Sequence, residues 1–359
     1  MTKVVDDPYT LLGDQPYVGA HDPFGFDEVA VELEQLILRS RKSTPFTLGI
    51  EAPWGTGKSS LMGQLQRRLD ARRDPAGPMV KTVSFNAWVA EGTDVLEGLV
   101  KSVLDAMDPS VLRRALRNER LMSVLGFAWR LVAAWLRLGS LADAAWDKLS
   151  VDAKTRNQIN ELVSKAMRDW AERAAKENGG PSAQRMLVVF IDDLDRCSPE
   201  NVMKIFEAMK LYLSAPGLVF VIGYDDTIVS EAVLARKEYA KQVTGREYVE
   251  KVIQIVFRIP RPSGDQTQAL VRTLVAQSGT AELLGETECT LLIDRNGRNP
   301  RRMKRFLNRF ILDYRLDDAS GTVRPELLIK LLILESYFPD FTRMMERSDS
   351  DAVAEFLDY

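Results

Sequence analysis

The stretch PFTLGIEAPWGTGKSS, residues 45–60, decides the fold. Residues 45–51 read as a buried strand, and from Ser59 to about Leu69 the pattern LMGQLQRRL reads as a helix. Between them lies a glycine-rich turn close to the phosphate-binding pattern G-x-x-x-x-G-K-[ST]. Gly55 and Gly57 permit a tight path that turns the backbone N–H groups of Trp54 through Ser60, including Thr56, toward phosphate oxygens. Lys58 reaches the β- and γ-phosphates, the Ser59 hydroxyl joins a Mg²⁺ shell, and the helix N-terminus adds a favourable field for an anion. A lysine in a tight glycine turn at a strand end has little packing purpose, which argues against a plain connection. The departure is Ala52 at the opening glycine. It costs little with ordinary backbone angles and impairs binding if the turn needs positive φ there. The expected cofactors are ATP and Mg²⁺.

Outward from this loop, MVKTVSFNAW (79–88), LVVFIDD (187–193), LVFVIGYDD (218–226) and VIQIVFRIP (252–260) are further strand candidates, with helical stretches between them. Runs that are apolar throughout suit interior parallel strands, so the expected fold is α/β, a mostly parallel five-stranded sheet covered by helices on both faces. The run at 187–193 ends in Asp192, assigned to the metal, and Asp193, assigned to activating water. Asp195 and Arg196 follow, as an ion pair organising this edge or as surface and capping residues. Asp225 ends the next run and admits two readings: a polar group sensing the γ-phosphate or its water, and a cap for the helix that follows.

Composition bounds the rest. A formal charge of −3 on 48 basic and 51 acidic residues gives no global reason to expect nucleic acid. Cys197 and Cys289 have neither metal-ligand nor disulfide spacing, which points to a reducing, cytoplasmic setting. The opening MTKVVDDPYT lacks the pattern of a signal peptide, and the one histidine, His21, rules out a site built on several histidines. Residues 121–139, LMSVLGFAWRLVAAWLRLG, are long enough for one membrane crossing, but Arg130 and Arg137 interrupt them. Insertion scales place a mid-helix arginine at roughly 2.5–3.5 kcal/mol unfavourable. A packed or self-associating helix is favoured over a membrane-surface helix, and both over a span.

Late in the chain, NPRRMKRFLN (299–308) is a basic amphipathic helix, with Arg301 and Arg302 as candidate phosphate contacts. Contact with nucleotide or an acidic interface is favoured there over a solvated face, and a solvated face over nucleic acid.

The ordered set APWGTGKSS, VSFNAW (83–88), VVFIDDLDRCSPE (188–200), FVIGYDD (220–226), YVEKVIQIVFRIP (248–260) and NPRRMKRFLNRF (299–310) resembles the KAP family of P-loop NTPases. The resemblance implies an ATP site shared by Lys58, Ser59, Asp192, Asp193 and Arg301 or Arg302. It also implies a long insertion before the acidic strand, which carries membrane helices in many relatives, and a link in some bacterial relatives to mobile elements or anti-phage defence. Asn86 and Trp88 gain interest from it, with structural packing an equal reading. The expected organisation is residues 1–94 and 183–262 as two parts of one core, 95–182 as a helical insertion, and 263–359 as a helical lid or interaction region. ATP hydrolysis coupled to a partner or to self-association is the leading function. A nucleotide-dependent scaffold with little turnover and a small-molecule kinase are the competitors.

Overall fold

A computed structural model describes residues 9–16, 24–72, 79–92, 95–107, 161, 164–165, 167–170, 185–212, 215–235, 245–318 and 324–347. The hydrophobic stretch 121–139 and most of the expected insertion lie outside these residues. Among the described residues, no helix is long and apolar enough to cross a membrane.

Five strands form one sheet: β1 (Phe46–Glu51), β2 (Met79–Asn86), β3 (Arg185–Asp192), β4 (Leu218–Tyr224) and β5 (Ile255–Arg258). Their order is β2-β3-β4-β1-β5, and every pair is parallel. The three interior strands are buried almost throughout, whereas β2 and β5 at the edges are partly exposed along their length. This follows from layering: an interior strand has apolar neighbours on both faces and needs no polar alternation. On one face Leu187, Val189, Ile191, Phe220 and Ile222 pack with the helices Val95–Met107, Pro199–Glu207, Asp226–Leu234 and Gly245–Val252. The helix Val95–Met107 opens the stretch read as an insertion, and its Val95, Leu99, Val103 and Met107 lie in this core. By alternation the intervening residues face the other way, where the helix Lys58–Ala71 lies, itself packed by Phe26–Arg39.

The chain divides into two compact units. The sheet belongs to Phe26–Trp54 with Lys58–Ile259, and the other unit comprises Met1–Gly25, Gly55–Gly57 and Pro260–Tyr359. The second unit is helical, with helices at Gly264–Gln277, Glu286–Asn296, Pro300–Asp318, Pro325–Tyr337 and Pro339–Arg347. Ser263 and Gln266 start the first of these by a reciprocal capping box. Its core includes Leu274, Leu292, Leu307, Phe310 and Ile329, with Leu12 from the N-terminal segment. The Asn308 side chain holds that segment at two points, donating to the Leu12 carbonyl at 2.8 Å and accepting from its N–H at 2.7 Å.

Candidate functional site

Parallel pairing brings the C-terminal ends of the strands to one edge. Asn86 stands beside Asp192, and Glu51 beside Tyr224. The strand carrying the glycine-rich turn and the strand carrying the acidic pair are not neighbours, because β4 lies between them. The site therefore has to be assembled across β4, at Gly223. A Cβ added there would lie 2.7 Å from the Met62 sulfur and 3.0 Å from Asp192 Oδ1, so this position accepts no side chain without displacing the site. Sequence reading passed over Gly223. Its signal was a glycine inside an otherwise continuous apolar strand, which marks a close approach of other groups.

In the glycine-rich turn, Gly55 and Gly57 take φ of 82° and 107°. Positive φ among described non-glycine residues occurs at Asp193 and Arg298, so Ala52 carries no left-handed strain. The Ala52 N–H donates to the Tyr224 carbonyl at 3.2 Å, tying the turn to β4. Lys58 is the first residue of its helix, is buried, and donates from Nζ to the Ala52 carbonyl at 2.9 Å and to Asp195 Oδ2 at 3.0 Å. Ser60 is buried, while Trp54 is exposed.

Asp192 ends β3 and shares a hydrogen bond with the Ser59 side chain. Its Oδ1 also accepts from the Asp193 N–H at 2.9 Å. Burial pushes its pKa above the ordinary carboxylate value, partly opposed by these two hydrogen bonds. Ser59 and Asp192 are thus two hard oxygen donors side by side, with Gly223 keeping the space beside Asp192 Oδ1 free of a Cβ. That donor set fits Mg²⁺, which takes one or two protein oxygens and completes its shell with water and phosphate.

Asp193 takes φ 58° and ψ 29°, a left-handed turn that aspartate tolerates better than most residues. Both of its carboxylate oxygens are engaged. Oδ2 accepts from Asn86 Nδ2 at 2.8 Å, and Oδ1 pairs with Arg196 Nε at 2.8 Å. Asn86 in turn accepts the Val89 N–H at 2.9 Å through Oδ1, and the Arg196 guanidinium lies 5.3 Å from the centre of the Trp88 ring. Asn86, Trp88 and Arg196 therefore form one bracket around Asp193. Asp225 caps its helix, accepting the Thr227 N–H at 3.1 Å, which is the second of its two readings.

In the helical unit, Asn299 Oδ1 accepts the N–H groups of Arg301 and Arg302 at 3.1 and 3.2 Å and so caps the basic helix. A Cβ on Gly55 would meet Asn299 Oδ1 at 2.7 Å and Arg301 Cβ at 3.1 Å. The Arg301 guanidinium also lies 3.6 Å from Asp14, which pairs with Arg305 at 3.1 Å. Arg302 is exposed.

A family model described as the KAP family P-loop domain matches residues 26–316. Among curated proteins, the chain is similar to the phage T7 exclusion protein of Escherichia coli (strain K12). The two are 22% identical over 269 residues, covering 67% of this chain and 34% of that protein. The chain thus spans about a third of this relative's length. Among solved structures it is similar to the Aeropyrum Pernix ORC2 protein in its ADP form, at 13% identity and a TM-score of 0.46, covering 89% of this chain and 71% of that one. It is also similar to Drosophila ORC bound to DNA, at 13% identity and a TM-score of 0.42, covering 90% and 62%.

Proposed function

We propose a function from one premise: the chain belongs to the KAP family of P-loop domains. It binds Mg-ATP and hydrolyses it, and the nucleotide state controls a partner or self-assembly. The observation that carries this reading is the convergence of Lys58, Ser59, Asp192 and Asp193 at one sheet edge, around the side-chain-free position Gly223.

In this mechanism the backbone of Trp54–Ser60 cradles the phosphates, and Lys58 offsets charge on the β- and γ-phosphates. Ser59 and Asp192 hold Mg²⁺, which when bound neutralises phosphate charge and orients the triphosphate. Asp193 orients the attacking water and takes its proton, while Asn86 and Arg196 fix its carboxylate. Arg301 stands beside Gly55 within one compact unit, on the helix that Asn299 caps. Asp225 acts in this scheme by capping the helix that follows β4 and so fixing that strand's end. Exclusion of a phage by the Escherichia coli relative supports a role in defence, with a nucleotide-driven change in partner contacts as the output.

A second reading is a nucleotide-dependent scaffold with little turnover. The double engagement of Asp193 favours it, because a carboxylate shared between Asn86 and Arg196 has fewer lone pairs for water. One comparison separates the two. In Asp193→Asn, phosphate release is expected to fall at least about a hundredfold while ATP binding persists. Tight ATP binding with release that ignores Asp193 would instead establish the scaffold.

A further inference from the structure

The carboxylates of Asp192, Asp193 and Asp195 crowd the turn that ends β3, and each has its own counterpart. Asp192 is satisfied by Ser59 and a backbone N–H, and Asp193 by Asn86 and Arg196. Asp195 is satisfied by Lys58, the lysine of the proposed phosphate-binding turn. The Lys58–Asp195 pair is buried at both ends, with side-chain exposures of 8% and 3%, and its atoms are 3.0 Å apart.

Burial makes this pairing matter. A lone ammonium taken out of water carries a large desolvation penalty, and a close carboxylate offsets it. An ammonium has three donors, and Lys58 has committed one to the Ala52 carbonyl and one to Asp195. A triphosphate arriving at the loop meets a lysine whose charge is already neutralised by a carboxylate at contact distance. Asp195 itself sits on the short turn Leu194–Arg196, which is fixed by buried Leu194 and by hydrogen bonds from the Arg196 and Cys197 N–H groups to the Asp193 and Leu194 carbonyls. The carboxylate is held where it is by the fold and does not drift there from solvent.

We infer that Asp195 is the resident counter-ion of Lys58, and that nucleotide binding proceeds by exchange of this carboxylate for phosphate oxygens on the ammonium. Asp195 is then a positioning residue that offsets the burial of the Lys58 ammonium and aims it, at the cost of nucleotide affinity. The inference rests on the nucleotide-binding reading above and adds to it a residue that sets the affinity of the site.

The test is titration of the full chain with a fluorescent ATP analogue and Mg²⁺, comparing wild type with Asp195→Asn, Asp195→Ser and Lys58→Met. Both Asp195 variants are expected to bind about tenfold more tightly, equivalent to ~1.4 kcal/mol. A purely structural role would weaken binding, so the direction of the change separates the two. Equal or weaker binding in the folded Asp195 variants overturns the inference. Binding that Lys58→Met leaves intact overturns the nucleotide-binding reading instead. Thermal unfolding adds a check that needs no nucleotide: Lys58→Met strands a buried carboxylate, so the double variant Lys58→Met/Asp195→Asn should melt above Lys58→Met alone. Failure of that recovery would show that the two residues are not a pair.

Discussion

At the scale of single residues, the acidic edge is a set of carboxylates in different environments. Asp192 and Asp193 are both half-buried, but Asp193 is bracketed by Asn86 and Arg196, whereas Asp192 lies beside Ser59. Burial raises the pKa of Asp192, so the folded protein holds that proton more tightly than the unfolded chain does. Ionised Asp192 therefore destabilises the free protein. The penalty is absent below the unfolded carboxyl value of about 3.9, grows as pH rises through the interval, and is complete above the raised native value. Asp192→Asn is expected to be more stable than wild type at neutral pH, with the gap closing as the solution is acidified. Urea midpoints of both proteins at neutral and acidic pH check this, and a gap that stays constant or reverses defeats it. The identities of Asp192 and Asp193 were legible from the end of an apolar run. Their different surroundings were not, because Asn86 is 107 residues from Asp193.

At the scale of elements, β4 is the spacer across which the site closes. Its Gly223 lets Asp192 reach Ser59 while the Met62 and Lys58 side chains pass on the same side. Gly223→Ala would insert a methyl group 2.7 Å from the Met62 sulfur and 3.0 Å from Asp192 Oδ1. The expected cost is about 1–3 kcal/mol of stability, the range for overpacking a filled interior. Mg-nucleotide binding should weaken with it, since the displaced groups include Asp192. Denaturant midpoints and a nucleotide titration measure the two effects, and unchanged binding would show that Asp192 can shift without consequence. The elements themselves follow closely from the sequence. The strand expected at 45–51 is Phe46–Glu51, and the basic helix read at 299–308 runs over Pro300–Asp318. The helical stretch between β3 and β4 runs as an α-helix over Pro199–Glu207 and then widens to a π turn at Ala208–Tyr212, a change that helical periodicity does not encode.

At the scale of the whole molecule, the described residues form two hydrophobic cores, one around the sheet and one among the C-terminal helices. The proposed Mg-ATP ligands Lys58, Ser59, Asp192 and Asp193 all belong to the sheet unit. A ligand bound to the native state alone stabilises it by about 2.7 kcal/mol when present at a hundred times its Kd. Mg-ATP is therefore expected to raise the melting temperature of wild type and leave Lys58→Ala unmoved, a difference that differential scanning fluorimetry reads directly. An equal rise in both proteins would place the bound nucleotide elsewhere. The sequence by itself determined the α/β class, the glycine-rich turn at the end of β1 and the acidic end of β3, because burial periodicity and turn chemistry are local properties of the chain. Only the tertiary structure decided that β4 separates those two strands, that Asn86 and Arg196 bracket Asp193, and that Lys58 of the opening stretch is held by Asp195, 137 residues away. The physical reason is that periodicity reports how deeply a residue is buried, whereas the partner of a buried charge is set by which strands pair and in what register.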